Sequence, residues 1–393
     1  MPIHALLRFV ALYSFMYGAF GVSSPFMPAF FEWRGLTPEQ LGVLFGAGTA
    51  IRLISGPACG RLADLTQSLR GALAICAALA AMVALGLLNV TDVPGLFAIR
   101  LLHAAALAPI TTLADAVALR ASMPRPASTT FEYGWVRGSG SAAFILGTLI
   151  IGQVVGSWGL SSILVLHAAQ LVLAAGMALV VPAPPPPHAV DAKSEQGRRT
   201  HGVVGLLRIA DFRRAMLVST LVLSSHAMHD TFAVIRWSAA GVTPVTVSVL
   251  WSESVAAEVV VFFLVGPSLV NRLGATGVMA LAAAAGFLRW VTVASTTAVT
   301  ALALVQPLHG LTFAALHLAC MRVIPAVVPP GLAATAQAIY AFGPAAATAV
   351  LTVASGGLYA RLGGQAFGVM ALLCAAAVPV ALRSRARSVG DFL

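Results

Sequence analysis

The chain has few charged residues, and this shortage excludes most classes of soluble protein. Charged side chains make up 9% of the 393 residues, whereas a soluble domain carries about 25%. Hydrophobic residues make up 59%, and the mean hydropathy is +0.92. One soluble core cannot bury so much apolar surface. The composition therefore excludes a soluble enzyme, a nucleic-acid binder and a disulfide-stabilised scaffold.

Cysteine is also scarce, and its placement argues against metal binding. Cys59, Cys76, Cys320 and Cys374 all lie within apolar stretches, and no pair of them has the spacing of metal ligands. We therefore expect four free buried thiols and no metal site.

Twelve apolar stretches are each long enough to cross about 30 Å of hydrocarbon as a helix. They cover residues 6–31, 41–62, 71–90, 94–117, 133–156, 161–181, 215–237, 247–268, 277–296, 299–321, 333–357 and 365–382. The first is too long for the apolar part of a signal peptide and no A-x-A cleavage motif follows it, so we expect it to be retained. These stretches predict an all-α membrane protein with 12 transmembrane helices.

The basic residues orient these helices. With the N-terminus inside, 16 Lys and Arg residues fall on the cytoplasmic side and three on the outer side. The inner set is Arg8, Arg61, Arg70, Arg120, Arg125, Lys193, Arg198, Arg199, Arg208, Arg213, Arg214, Arg272, Arg322, Arg383, Arg385 and Arg387. The net charge of +10 thus indicates basic cytoplasmic loops rather than a nucleic-acid partner. We expect both termini in the cytoplasm and a multi-pass protein of the bacterial inner membrane.

A proline-rich segment divides the chain. Residues 182–214 contain Pro184–Pro187 followed by a mixed-charge stretch, which predicts a cytoplasmic linker. It would join a six-helix half, 1–181, to a second six-helix half with a short basic tail, 215–393. A shift of 206 residues aligns Gly60 with Gly266, and a shift of 203 aligns Gly140 with Gly343. This repeat suits a transporter built from two parallel halves around a midplane site.

Several motifs carry a resemblance to a known family. Gly60-Arg61-Leu62-Ala63-Asp64 resembles the start of the loop signature of the major facilitator superfamily. A more specific set lies in later spans: Tyr133-Gly134, Val136-Arg137, Gly138 to Phe144, Arg289-Trp290, Gln306, Leu308-His309-Gly310, His317, Met321-Arg322, Gln337-Ala338 and Tyr340. This set resembles the phenylpropionate permease family, which is similar in plan to the lactose permease. The chain departs from that family at His229-Asp230 and Glu253, which add two acids to the outer part of the membrane.

The resemblance implies the major facilitator fold and secondary transport without enzymatic activity. We expect a proton-coupled symporter of a small organic, aromatic carboxylate that works by alternating access. The proton gradient would supply the energy, with no cofactor. The substrate, protons and the lipid bilayer would be its partners, and the protein would be a monomer. The alternatives are a drug or metabolite efflux antiporter, a sugar or nucleoside symporter, and a receptor or scaffold without transport.

Charges within the spans mark the candidate proton sites. A charge at mid-bilayer costs about 2.5 to 3.5 kcal/mol on insertion scales. The spans contain equal numbers of basic and acidic residues, so structural ion pairs are one interpretation. The bases are Arg52, Arg100, Arg137 and Arg289, and the acids are Asp115, Asp230, Glu253 and Glu258. The other is proton coupling, because a carboxylate changes its proton affinity when a cationic partner moves away. Glu258 is the first candidate, with Arg137 or Arg289 as partner, and His309, Asp230 and Glu253 are the alternatives.

The remaining candidates concern substrate binding and gating. Arg52 and Arg289 would bind a carboxylate through paired hydrogen bonds. The other substrate-binding candidates are Arg137, Tyr17, Trp251, Gln306, Gln337 and Tyr340, of which the aromatic ones offer flat surfaces to a ring. The loop signature implies a gating group of Gly60, Asp64, Arg70 and Asp115 at the cytoplasmic side, with Arg70 paired to the acids.

Overall fold

The computed structural model describes residues 2–123, 131–182 and 199–383. Within these ranges the chain is helical and contains no β-strand, as the sequence predicts. Most of the predicted linker, residues 183–198, and the tail beyond residue 383 lie outside the described residues, and so does Arg125. The described end of the linker begins a helix, Arg199–Arg208.

Seven helices lie in the described residues before the linker. They are α1 (Pro2–Ser23), α2 (Met27–Trp33), α3 (Pro38–Leu65), α4 (Leu69–Gly86), α5 (Val93–Ser122), α6 (Tyr133–Trp158) and α7 (Ser162–Val180). Thr37 begins α3 with a reciprocal capping box to Gln40. Asp92 begins α5 by accepting the Gly95 N–H at 2.8 Å. The predicted span 6–31 is two helices rather than one, because Pro25 lacks an N–H and breaks the helical ladder between α1 and α2.

Nine helices lie in the described residues from 199 onward. They are α8 (Arg199–Arg208), α9 (Ala210–Ser224), α10 (His226–Ala239), α11 (Pro244–Val260), α12 (Gly266–Ser295), α13 (Val299–Val305), α14 (Leu316–Val327), α15 (Ala333–Leu362) and α16 (Phe367–Leu382). The predicted span 215–237 is interrupted at Ser225, between α9 and α10. Two π-helical turns, Val261–Val265 and Leu311–Ala315, follow α11 and precede α14 respectively.

The described ranges contain nine helical stretches that are long and apolar enough to cross a membrane. Two of them, Pro244–Ser295 and Ala333–Leu382, have 52 and 50 residues, about twice what one crossing requires. Each is interrupted by a glycine of positive φ, Gly274 at 67° and Gly363 at 54°. The chain is therefore a multi-pass membrane protein. Its exposed apolar side chains, such as Leu304 at 75%, suit contact with lipid.

The chain forms two compact units. The first comprises Met1–His188 and Trp237–Ser252, and the second Ala189–Arg236 and Glu253–Leu393. Each unit has its own apolar core, in which alanine is frequent, as in Ala77, Ala80 and Ala114 of the first core and Ala282 and Ala319 of the second. Small side chains let helix backbones approach closely in a membrane.

Glycine allows a close contact between two helices of the first unit. A Cβ at Gly21 would overlap the backbone of Phe144, and one at Gly147 would meet the Gly18 carbonyl oxygen at 2.5 Å. The Thr148 hydroxyl, on the same face of α6, donates to the Gly21 carbonyl at 3.0 Å. These positions fix α1 against α6.

The repeated glycines occupy equivalent places in the two units. A Cβ at Gly140 of α6 would meet the Tyr17 ring of α1, and one at Gly343 of α15 would meet the Met216 methyl of α9 at 2.9 Å. The match between these segments in the sequence thus corresponds to the same kind of helix pairing within each unit.

Candidate functional site

Arg289 is the centre of a buried polar cluster in the second unit. Its side chain lies on α12, is fully buried and stacks on Trp290 at 4.6 Å. Its Nε and Nη2 donate to Gln306 Oε1 at 3.3 and 2.7 Å. Its Nη1 donates to His309 Nδ1 at 3.1 Å, and Nη2 also donates to His229 Nε2 at 3.4 Å. The guanidinium therefore organises one amide and two imidazoles.

These contacts assign the proton positions of both imidazoles. Arginine has only donors, so His309 Nδ1 and His229 Nε2 must act as acceptors. The hydrogen of each neutral ring then lies on the other nitrogen. His309 Nε2 lies 3.6 Å from Glu258 Oε2, and His229 Nδ1 lies 3.5 Å from Asp230 Oδ1. Arg289 thus presents an imidazole N–H to each of two carboxylates.

Glu258 and Asp230 differ in their surroundings. The Glu258 side chain is 31% exposed, whereas that of Asp230 is 60% exposed although its His229 partner is buried. Glu253, the third acid, is half-buried on α11, and among the described residues no hydrogen-bond partner is found for it. The structure therefore brings Glu258, His309, Arg289 and Gln306 together and adds Asp230 through His229.

A second layer of hydrogen bonds holds this cluster. His226 Nε2 lies 3.1 Å from the Thr312 hydroxyl, which in turn donates to the His309 carbonyl at 3.1 Å. The Trp290 indole donates to Ser225 Oγ at 2.8 Å. Although three histidines meet here, the described residues contain no group of His, Cys, Asp and Glu arranged to hold a metal ion.

The first unit contains a separate chain of buried donors and acceptors. Arg100 Nη1 donates to His103 Nδ1 at 3.3 Å, and His103 Nε2 lies 3.1 Å from His167 Nε2. His167 Nδ1 lies 2.8 Å from the Ala19 carbonyl oxygen. The exposed fractions of Arg100, His103 and His167 are 7%, 1% and 0%. Sequence reasoning missed both histidines, because a lone histidine in an apolar helix resembles an ordinary core residue.

The substrate-binding candidates are divided between the two units. In the first unit, Arg52 of α3 is exposed and its charge interacts with that of Arg100, while Arg137 lies over the Tyr17 ring at 4.6 Å. Trp251 is 9% exposed and belongs to the same unit.

The second unit holds the remaining candidates, Gln337 and Tyr340 on α15. His317 Nδ1 lies 3.1 Å from the Tyr340 hydroxyl, and Gln337 Nε2 lies 3.5 Å from the Met321 sulfur. Neither residue is among the hydrogen-bond partners of Arg289.

The gating candidates do not form the expected cluster. Asp115 accepts hydrogen bonds from Tyr13 at 2.5 Å and Tyr133 at 2.7 Å. Asp64 lies 4.0 Å from Arg120. Arg70 donates to the Val181 carbonyl at 2.6 Å instead of pairing with either acid.

The physical reason lies at the end of α7. The last carbonyls of a helix lack partners within it, and a nearby cation satisfies them. Arg70 bonds the Leu179 and Val181 carbonyls, and Arg8 bonds that of Val180. Gly60, the remaining gating candidate, has open space where a Cβ would lie.

Comparison with known proteins gives matches over most of the chain. Residues 6–370 match the model of the MFS_1 like family. The chain is 32% identical over 371 residues to a protein of Escherichia coli (strain K12) described as "Probable 3-phenylpropionic acid transporter", covering 93% of this chain and 94% of that protein. It is 22% identical over 307 residues to the "Uncharacterized transporter YwbF" of Bacillus subtilis (strain 168), covering 78% and 74%.

Solved structures agree on the fold. The crystal structure of the nucleoside transporter NupG aligns with a TM-score of 0.78 at 16% identity, covering 96% of this chain and 97% of that one. A bacterial homologue of the human lysosomal transporter Spinster, in an inward-facing and unoccupied conformation, aligns with a TM-score of 0.72 at 14% identity, covering 97% and 96%.

Proposed function

Since the chain belongs to the MFS_1 like family of transporters, we propose that it is a proton-coupled symporter of a small aromatic carboxylate and works by alternating access. It crosses the bacterial cytoplasmic membrane twelve times as a monomer, with both termini inside. The proton gradient supplies the energy. The proposed coupling is supported by the Arg289 cluster, in which the His309 N–H lies toward Glu258 and the His229 N–H toward Asp230.

Glu258 is the main proton-binding group of this proposal. A carboxylate in the membrane is stabilised in its charged form by a nearby cation or N–H donor. Protonation removes that charge and weakens its attraction to His309 and, through His309, to Arg289. The cluster then favours a different arrangement, so the proton on Glu258 selects between conformations of the transporter. Asp230 with His229 forms a second and more exposed proton-binding pair.

The substrate class rests on the relative described as a 3-phenylpropionic acid transporter and on the arginines of the chain. Arg289 already has Gln306, His229 and His309 as acceptors, so we assign it to coupling. Arg52, which is exposed and for which no ion pair is found among the described residues, is available to a carboxylate.

Substitution of Glu258 by glutamine tests the coupling. Reconstituted in proteoliposomes with 3-phenylpropionate as the probe, Glu258→Gln is expected to retain exchange of external for internal substrate. It should lose accumulation driven by an inward proton gradient, because glutamine cannot take up the proton. Glu39→Gln, the same change at an exposed acid in the first turn of α3, serves as the matched control and should accumulate normally.

The result that would overturn the proposal is normal gradient-driven accumulation by Glu258→Gln.

The direction of proton movement separates symport from the second candidate, efflux antiport, for which the exposed Asp230 offers a cation-attracting group. Substrate addition outside the vesicles should acidify the interior in symport and alkalinise it in antiport.

A further inference from the structure

Arg100 is a buried cation with most of its hydrogen-bonding capacity unused. Of its five N–H groups only one, on Nη1, has a partner in the described part of the chain, and that partner is His103. Its Nε is buried without an acceptor among the described residues, although only 7% of the residue is exposed. A guanidinium left so incompletely bonded is costly to bury. Arg289, which is also buried, makes four hydrogen bonds.

The unused donors lie on the edge that recognises carboxylates. Because Nη1 is taken by His103, the free edge is the one formed by Nε and Nη2, whose N–H bonds run parallel. Two parallel N–H bonds match the two oxygens of one carboxylate. The Phe45 ring covers one face of the guanidinium at 5.1 Å and restricts its rotation.

The histidine chain fixes this orientation. Arg100 can only donate, so His103 Nδ1 accepts and His103 Nε2 carries the hydrogen. His167 Nε2 therefore accepts, and its Nδ1–H donates to the Ala19 carbonyl. Arg100, His103 and His167 therefore have one possible arrangement of their hydrogens, and this series of hydrogen bonds ends at the Ala19 carbonyl oxygen. These hydrogen bonds link α1, α5 and α7 and thus form a rigid support that holds the free edge of Arg100 in place.

The charge around Arg100 is positive and uncompensated. Arg52 on the neighbouring helix α3 is close enough for the two charges to interact. Neither arginine has a carboxylate within salt-bridge distance among the residues that the structure describes. The acids of the first unit for which partners are found are engaged elsewhere, such as Asp115 with two tyrosines. Without an acid in the described part of the chain, these two positive charges would attract an anion.

We propose that Arg100 and Arg52 of the first unit bind the carboxylate of the transported substrate, with Arg100 forming the two-bond contact and Arg52 the second cationic contact. His103 acts as a positioning residue, and His167 anchors it. The proposal rests on the proposed function for the substrate class, and it assigns carboxylate recognition to the first unit and proton coupling to the second.

The test is equilibrium binding to detergent-purified protein, with 3-phenylpropionate and its uncharged amide as paired probes. Arg100→Gln should weaken carboxylate binding by about tenfold or more, the value of one lost charged hydrogen bond. Amide binding should remain within about threefold of the unsubstituted protein, since the amide places no charge there. His103→Asn should also lower the ratio of carboxylate to amide affinity, but by less than Arg100→Gln does.

Two further variants keep the test decisive. Arg52→Gln changes an exposed side chain, so it provides the same comparison if Arg100→Gln fails to fold, and it should also lose about tenfold in carboxylate affinity. Arg322→Gln removes one exposed positive charge from the second unit, where it bonds Asn271, and should leave both affinities unchanged. That control excludes a general effect of net charge.

The proposal is overturned if folded Arg100→Gln and Arg52→Gln keep the carboxylate-to-amide ratio, or if only Arg289→Gln lowers it. These measurements need no proton gradient. A failure of Glu258→Gln to uncouple transport would refute the proposed coupling and leave this binding test intact, and the reverse also holds.

Discussion

Replacing Arg289 by lysine separates the geometry of the Arg289 cluster from its charge. The guanidinium makes four hydrogen bonds to Gln306, His309 and His229, at 2.7 to 3.4 Å. Lysine keeps the positive charge, but its three donors leave one nitrogen and cannot reach all three residues. At least one charged hydrogen bond is lost, which costs about 1.5–3 kcal/mol and reduces the population of the ordered cluster about 10- to 150-fold.

The expected phenotype is a loss of coupling with retention of exchange. Without the arginine donor, His309 is free to carry its hydrogen on Nδ1 and no longer presents an N–H to Glu258. Accumulation of 3-phenylpropionate driven by a proton gradient should fall at least about tenfold in Arg289→Lys. Counterflow, which needs no net proton movement, should persist.

Arg236→Lys is the matched control. Arg236 lies in the same unit and donates to three backbone carbonyls, those of Val293, Ala294 and Gly364. Its replacement loses comparable hydrogen bonds but changes no imidazole. Arg236→Lys should lower thermal stability in detergent and keep the ratio of accumulation to counterflow. Normal accumulation in Arg289→Lys, or an equal drop of that ratio in both variants, would refute the reasoning.

Two predictions concern stability, measured by thermal unfolding in detergent. Gly21→Ala should destabilise the protein by about 1–3 kcal/mol, the usual cost of overpacking, because the new Cβ overlaps the Phe144 backbone; Gly156→Ala, with open space at its Cβ, should not. An equal effect of both substitutions would contradict the close contact of α1 and α6. Tyr13→Phe should cost about 1–3 kcal/mol, because Asp115 loses its 2.5 Å hydrogen bond from a buried partner. If Tyr13→Phe has no cost in a protein that already carries Asp115→Asn, the hydrogen bond depends on the carboxylate charge. An unchanged melting temperature in Tyr13→Phe alone would count against the hydrogen bond itself.

Composition was sufficient to predict the helical membrane fold, since long apolar runs with so few charges can satisfy their backbone hydrogen bonds in lipid only as helices. Motifs at specific positions predicted the family. The exact helix limits were less predictable, because local breaks depend on backbone geometry. Ser225 interrupts one predicted span, and the polar residues Ser224, Ser225 and His226 mark that place in the sequence without fixing a helix boundary there.

The residues of the Arg289 cluster were easier to single out from the sequence than the contacts between them. Glu258, His309, Arg289 and Gln306 were each singled out by residue type and position, but the expected partner of Glu258 was an arginine, and the structure places His309 beside it. His103 and His167 were missed because their importance depends on a series of hydrogen bonds that links three helices. Arg70 was assigned to the acids because the sequence does not reveal that the end of α7 lies beside it.

The π-helical turns beside Glu258 and His309 affect how related sequences should be compared with this one. Val261–Val265 begins three residues after Glu258, and Leu311–Ala315 begins two residues after His309. A π turn holds one residue more than an α-helical turn, and each residue turns the helix by about 100°. A relative with one residue fewer, and an ordinary α-helical turn in the same place, would keep the following side chains on the same faces, because the π turn accommodates its extra residue within one turn. A one-residue alignment gap within these turns is therefore compatible with unchanged faces on α12 and α14, whereas counting residues from Glu258 or His309 without that gap would compare positions on different sides of a helix.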